Sequence, residues 1–476
     1  YYFQGIGYRI RGFESEVLVD GFPLYYGGGD FSSLVNVERI EVLKGPGGIF
    51  YQGGQTLTGG VVNLLSKLPH GERRYEVGVV FGGHGTWIPW FDINQPLNAS
   101  KTALFRMTAE FEQSREFIDV VERERYSLNP TFMFRDDAST LVIQLHASRR
   151  TQHEYSGLPA VGTIDRSSFS IRRDLFVGDP AIPKHVNANE RIAAYFKHKL
   201  DDVWTIDVSA RYGRSSLFEP TQALFNFFGS SNQPVFGSNF SVLSALLTET
   251  THEMAFNANA IAKFQIADSR NTFLVGIDFN RTTDEGKLTG TFPYLVDFLN
   301  PTFPRYTFDQ PLAFTIVDNT YWNSGLSIQL HSTIKDRFHI LLGARLAHVD
   351  VISRELTTGG SFHTDEWKVL PRAGIVVDIV RGVSAFASYS EGLRAVPFFS
   401  AAAAPKPEES RQIEGGLKIA LPTGLSATLA LFEISRLNVA TPDPNVPFAQ
   451  VQTGEQQSRG FDIDLVWQPI AGLSVL

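Results

Sequence analysis

At 476 residues, with a net charge of −8 from 42 basic and 50 acidic side chains, the chain is long enough for several ordinary domains and too acidic for an electrostatic nucleic-acid binder. It has no cysteine, which excludes a disulfide framework and a cysteine-ligated metal centre while leaving the periplasm and the cell surface open. The 41 Gly, 38 Phe and 15 Tyr give an aromatic, turn-rich balance foreign to a soluble α-rich enzyme. No run approaches the roughly 18 apolar residues of a membrane helix, so any span must be made of strands.

Residues 1 to about 70 carry Gly-rich turns around two compact apolar strands, Val17-Leu18-Val19 and Val37 to Leu43. They predict a small separate α+β domain. Gly45-Pro46-Gly47-Gly48 and Gly59-Gly60 mark turns that need positive φ or close backbone approach. Phe3-Gln4-Gly5 resembles a protease-tag scar but is read as native, because the flanking residues continue the same pattern.

From Tyr75 onward, segments of about 8 to 10 residues alternate apolar and polar side chains between polar or Gly/Pro-containing stretches. Ala103, Phe105, Met107, Ala109 and Phe111 fall on one face, and Arg106, Thr108, Glu110 and Glu112 on the other. Trp204 to Tyr212 alternates likewise, and Phe461, Ile463, Leu465 and Trp467 alternate with Asp462, Asp464 and Gln468. Charges at every second position would spoil the core of a soluble sandwich, but they suit a polar lumen behind a lipid-facing apolar band. Long connections are expected from Ser215 to about Leu246 and from Thr282 to about Ile316, as in the outer loops of a barrel. Periodicity alone also permits a soluble all-β protein with one solvated face.

No catalytic constellation stands out. The 11 histidines include no HExxH pair, and His146 and His153 are too far apart for a two-ligand site on one turn of regular structure. Gly45 to Gly54 lacks the Gly-Lys-Ser/Thr of a phosphate loop, and Gly424-Leu425-Ser426 is no nucleophile elbow.

Four ordered motifs within the first domain then carry a resemblance: Ile10-Arg11-Gly12-Phe13, Val19-Asp20-Gly21-Phe22-Pro23, Val37-Glu38-Arg39-Ile40-Glu41-Val42-Leu43-Lys44-Gly45-Pro46 and Gly59-Gly60-Val61-Val62-Asn63. This segment resembles the plug of TonB-dependent receptors. Ala385 to Glu391, Lys406 to Ser410 and Glu414 to Lys418 look like later barrel strands of that family, and Leu431 to Ile434, Asn438-Val439, Thr441 to Pro444 and Thr453-Gly454-Glu455 are similar to its ferric-siderophore, ferrichrome-type branch. The resemblance implies a large antiparallel transmembrane β-barrel, of 22 strands in the full-length family and fewer here, with an N-terminal α+β plug domain inside the lumen. The plug is placed at residues 1–70 and the barrel at 71–476. It further implies that the TonB-contacting segment before Tyr1 and the strands after Leu476 belong to a longer protein.

The implied function is an outer-membrane receptor and active importer that binds a ferric siderophore at the extracellular face and uses energy from the inner-membrane TonB complex. Outer-membrane lipid and lipopolysaccharide are its expected surroundings, nucleic acid is not an expected partner, and no enzymatic activity is expected. No resident cofactor is expected, because iron arrives wrapped in oxygen donors and needs from the protein only rings, hydrogen-bond donors and cations. By resemblance, Arg11 lies near the chelate, with a structural role in the plug as the competing reading. Tyr25 and Tyr26, beside Gly27-Gly28-Gly29, fall at the plug apex, where a packed loop is the alternative. Tyr51 and Gln52 follow the Gly-Pro-Gly-Gly turn, where packing competes with ligand contact, and Tyr155 matches an aromatic loop that reaches the chelate in ferrichrome-type relatives. Phe225, Phe227 and Phe228 could form an apolar lid or simply pack. Arg39 and Lys44 on the plug, with Glu391 and Glu414 on the barrel, match motifs whose charges pair across the plug-barrel interface. Lys44 stands where arginine is common.

Glu391-Gly392-Leu393-Arg394-Ala395 is faintly similar to the motif of haem receptors of the same fold, which keeps haem, or another chelate such as cobalamin, as the alternative substrate. With only 3 Met and scattered His, direct binding of a soft metal is not expected. A porin or adhesin would not need the ordered plug motifs.

Overall fold

The computed structural model of the chain describes residues 8–24, 33–46, 59–225, 233–309, 311–394, 406–442 and 450–476. Five short strands near the N-terminus form one sheet: β1 (Arg9–Ile10), β2 (Phe13–Val19), β3 (Phe22–Pro23), β4 (Val37–Lys44) and β5 (Gly60–Ser66). Their order is β1-β2-β5-β4, with β3 on β2; β2 and β5 run parallel and the other pairs antiparallel. No helix occurs among the described residues, so the described part of the plug is sheet alone, without the α component expected of it.

Two Xaa-Gly turns shape this sheet. Arg11 and Gly12 join β1 to β2 at φ 54° and 84°, and Asp20 and Gly21 join β2 to β3 at φ 53° and 84°. Both are two-residue hairpin turns with positive φ at both central positions, the geometry that matches the twist of the flanking strands. The Asp20 carboxylate accepts from Ser66 N at 2.8 Å and Ser66 Oγ at 2.6 Å, and the Asn63 side chain accepts from Gly21 N, so the turn is tied to β5. At Gly60, φ is 130° and a Cβ would overlap the Leu43 carbonyl, which explains the glycine pair that opens β5. A small core of Val17, Val62 and Leu64, with Ile10, Val19 and Val37 packed on it, holds the sheet.

The remaining strands enclose this sheet. They are β6 (Arg74–Phe81), β7 (Trp87–Pro96), β8 (Ala103–Arg115), β9 (Glu122–Arg135), β10 (Ser139–Gln152), β11 (His185–Lys199), β12 (Trp204–Leu224), β13 (Asn239–Ile266), β14 (Ser269–Gly290), β15 (Tyr294–Asp297), β16 (Leu312–Ile334), β17 (Phe338–Glu355), β18 (Gly360–Val380), β19 (Val383–Arg394), β20 (Glu408–Ala420), β21 (Leu425–Pro442), β22 (Gln450–Ile470) and β23 (Leu473–Val475). They form a closed barrel in chain order, in which the three-residue β23 returns beside β6 and the short β15 caps the tip of β13. Neighbours pair antiparallel in long registers, as along β12 and β13 from Trp204↔Ala262 to Leu224↔Val242.

The two faces are inverted relative to a soluble sheet. On β16 and β17, Leu326, Ile328, Leu342 and Leu346 are exposed, while Asn319, Asn323 and Arg345 on the alternate face are buried. Likewise Phe461, Ile463, Leu465 and Trp467 lie exposed on the outside of β22. Inside, buried charges are neutralised in pairs: Arg345 binds Asp278 through two hydrogen bonds, and Arg125 sits 2.6 Å from Glu110 and 2.7 Å from Glu112. At one end of the barrel the connections are short, such as Ala267-Asp268 and Arg381-Gly382; at the other they include 153–184 and 291–311. Short turns mark the periplasmic end of such a barrel and long loops the extracellular end.

The connections expected from Ser215 and from Thr282 are shorter than expected. Ser215 to Leu224 and Thr282 to Gly290 continue their strands, with β12 laddered to β13 and β14 to β16. These stretches rise beyond the apolar band, where no outward-facing hydrophobic series is needed and the sequence loses its alternation.

Candidate functional site: the plug seated in the barrel

Among the described residues, three groups of side chains join the plug to the wall. The first is built on the Arg11-Gly12 turn, whose left-handed backbone aims Arg11 at strands β20 to β22. Arg11 donates from Nε to Asp462 at 2.9 Å and from Nη1 to Glu414 at 2.8 Å, and its guanidinium lies 4.1 Å from the centroid of the Phe432 ring. Burial works against its charge, but the bonds and charges of Glu414 and Asp462 outweigh burial and raise its pKa above the ordinary value. Lys44, at the end of β4, reaches Asp464 at 2.8 Å and Asp462 at 3.5 Å. Asp462 and Asp464 share a strand face because they are two residues apart.

The second group receives the β2–β3 hairpin. Arg211 on β12 donates to the carbonyl oxygens of Phe22, at 3.3 Å, and Pro23, and to Glu253 on β13 at 2.9 Å. Its guanidinium lies 5.0 Å from the Phe22 ring, which also packs 5.9 Å from Tyr195. Burial pushes the Asp20 carboxyl up, against the Ser66 hydrogen bonds and the charge of Arg191 on β11. The third group seats β4 and the segment after β5: Thr108 donates to Asn36 at 3.1 Å, and Asp92 accepts from Lys67 at 3.0 Å and from Arg106 at 2.9 and 2.7 Å.

Several expectations need correction. Arg39 does not cross to the barrel; its guanidinium is largely exposed and pairs with Glu41 on its own strand at 2.8 Å. Glu391 does not reach the plug either. Register places it opposite Arg411, on the strand face opposite to Gln412 and Glu414, and there it accepts from the Tyr389 hydroxyl and lies 3.8 Å from Arg411. Lys44 and Glu414 do bridge plug and wall, with Asp464 and Arg11 as their partners. Arg11, expected near the chelate, has a side chain only 2% exposed and faces the wall, so its geometry is that of an anchor.

Tyr155 begins the long loop 153–184, and it is packed rather than presented. Its ring stacks 6.3 Å from Phe176, in a cluster with Ile182 and Tyr306, and burial raises its pKa. Farther along, Ile171, Leu175 and Val177 pack on Phe240, Val242, Val296 and Phe298, so this loop forms an apolar cap over the tips of β12, β13 and β15. Tyr25, Tyr26, Tyr51, Gln52, Phe227 and Phe228 lie outside the described residues. His146 bonds Asn129 and Ser148, and no group of three or more His, Asp or Glu that could hold a metal occurs among the described residues.

Asp462, Asp464, Phe432, Arg211 and Glu253 are plug contacts that no sequence motif marks as such. The alternation of Asp462 and Asp464 with Phe461 and Ile463 was a usable signal, since it assigns the aspartates to the lumen. For Arg211 and Glu253 nothing local distinguishes them from other lumenal charges.

A family model described as TonB dependent receptor-like, beta-barrel matches residues 125–475, and one described as TonB-dependent Receptor Plug Domain matches residues 3–61. The chain is 26% identical to a metal-pseudopaline receptor of Pseudomonas aeruginosa, with 91% of this chain and 61% of that protein covered. It is 24% identical to the ferrioxamine B receptor of Salmonella typhimurium, over 96% of this chain and 65% of that one, and 23% identical to the ferrichrome outer membrane transporter/phage receptor of Escherichia coli, over 96% and 62%. It thus spans about three-fifths of the length of these relatives. Among solved structures, the ferripyoverdine receptor of the outer membrane of Pseudomonas aeruginosa superposes with a TM-score of 0.84 at 19% identity, covering 98% of this chain and 64% of that one, which shows the fold. A plug sheet pinned by charged pairs inside an inverted barrel, a plug model matching the N-terminal segment and a barrel model matching most of the rest place this chain in the TonB-dependent receptor family, whose members are outer-membrane receptors and not enzymes.

Proposed function

We propose that the protein binds a ferric siderophore at its extracellular face and imports it into the periplasm, driven by the TonB complex. The observation that carries this reading is the seat itself: a folded sheet sits in the lumen and is held by polar bonds that force can break. A passive pore would gain nothing from such a plug. Iron is cargo in this reading, and the protein supplies no ligand to the metal, so recognition falls to rings and hydrogen-bonding groups at the long-loop end. The outer face of the barrel contacts outer-membrane lipid and lipopolysaccharide through its apolar band.

A second reading, a chelate of another metal, is favoured by the 26% identity to a metal-pseudopaline receptor. Growth of a deletion strain on single ferric siderophores under iron limitation, with binding titrations of the purified receptor against the same chelates, haem and non-ferric metallophores, tests both. The first reading expects a growth defect on at least one ferric siderophore that the receptor also binds. Unchanged uptake of every ferric chelate, with binding of a non-ferric one, would transfer support to the second.

A further inference from the structure

A cavity of about 490 Å³ lies below the plug seat, bounded on one side by Val42 to Lys44 of β4 and on the other by the wall from β16 to β22. Its position in the barrel follows from its lining. His331 and His339 flank the β16–β17 turn, and Lys418 and Thr428, a cross-strand pair, flank the β20–β21 turn, all at the short-turn end. The cavity is therefore on the far side of the plug from the long loops. Its volume is within the range of small-molecule sites, roughly 300–1,000 Å³.

The charge of this cavity is uneven. Its three carboxylates, Glu414, Asp462 and Asp464, are held by Arg11 and Lys44 at the plug edge. Two strands from Asp464 along one row of the wall stands Lys418, whose ammonium lies 5.3 Å from the centroid of the Phe386 ring, and His331 and Arg372 line the wall beyond it. With two of the three anionic charges offset by Arg11 and Lys44, and with Lys418, Arg372 and an aromatic ring on the rest of the wall, the surface complements an anion with apolar faces.

We propose that this cavity is a second binding site, on the exit side of the plug, for an anionic, oxygen-rich metal chelate, with Lys418 and Arg372 as its cationic contacts and His331 as a hydrogen-bonding one. The proposal rests on the importer reading above and adds to it a station where cargo is held after passing the plug. When the plug moves and Arg11 and Lys44 leave the carboxylates, the cavity gains negative charge, and the same motion that admits the chelate favours its discharge to the periplasm.

The chain has no cysteine, so a fluorophore on Thr428→Cys reports from this cavity alone, and one on Ser167→Cys reports from the long-loop end. Ferric chelates quench a nearby fluorophore. With the full chain purified in detergent, a trianionic ferric tris-catecholate should quench the Thr428 reporter saturably, and cationic ferrioxamine B should not. Lys418→Gln should weaken that quenching about tenfold, as expected for one lost charged contact, and Lys418→Arg should restore it. A reporter on Ser388→Cys guards against blockage of the site by the label. Absence of saturable quenching from both cavity reporters, or quenching indifferent to Lys418→Gln, overturns the proposal. A Ser167 reporter that responds while the cavity stays silent removes the exit site alone; failure of the growth test removes the importer reading on which it rests.

Discussion

Arg11 is the residue on which the plug seat turns, because it answers two wall carboxylates at once and lies over an aromatic ring. Arg11→Ala should leave Glu414 enclosed without its cation and Asp462 with only the longer contact to Lys44, lowering stability of the seated plug by about 3 kcal/mol. In a double-mutant cycle with Glu414→Gln, thermal unfolding of the purified receptor should show clear coupling; additive effects would deny the pair a role. Glu16 on β2 gives a pH dependence at the same scale. Its side chain is half-buried, and burial, opposed by Arg394 on the wall and reinforced by Glu253, pushes its carboxyl up to about 7. A raised carboxyl binds its proton more tightly in the seated plug than in the free chain, so its contribution is fully present below the ordinary value near 4.5 and is lost as pH rises through about 7. Protease accessibility of the plug should therefore rise between those limits, and Glu16→Gln should flatten that rise. Charge sign at Arg11, Lys44 and Glu414 was readable in the sequence, but pairing was not: Arg39 and Glu391 carry the right charges on strand faces that do not meet, which only register decides.

At the scale of the strand, alternation did most of the specifying. A one-residue shift of register would send every apolar side chain into the lumen, so the sequence pattern and the lipid boundary fix each strand together. Ile328, 49% exposed on the outside of β16, and its neighbour Gln329 on the lumenal face make a direct comparison. Ile328→Arg should cost about 2–4 kcal/mol if the site lies near the bilayer midplane, and Gln329→Arg much less. Urea-driven unfolding of the receptor folded into lipid vesicles measures both, and equal costs would mean that the faces are misassigned. The same alternation explains what the sequence hid. Where β12 to β14 outgrow the membrane, Thr, Ser and Glu replace the apolar series, and a laddered strand reads as loop. Tyr155 misled for a related reason, because an aromatic beside Gly157 and Pro159 suits a binding loop as well as the packed cap it forms with Phe176.

At the scale of the molecule, the barrel is a frame and the plug a separate sheet which, among the described residues, is tied to it mainly by polar bonds, with Phe22 on Tyr195 as an apolar contact. Its own apolar core of Val17, Val62 and Leu64 does not extend into the wall, so the plug can shift without exposing the core of the barrel. That division of labour makes a whole-molecule prediction. A short bismaleimide joining cysteines at Lys44→Cys and Asp464→Cys would bind β4 to β22 where an ion pair of 2.8 Å holds them now. The same reagent joining Glu391→Cys to Arg411→Cys would link two wall strands that already lie side by side. If cargo passes only when the plug edge leaves the wall, the first link should abolish uptake while chelate binding at the long-loop face persists, and the second should leave uptake unchanged. Uptake that continues through the first link would mean that the Lys44 edge stays in place during transport, and that the moving part lies instead at the hairpin held by Arg211.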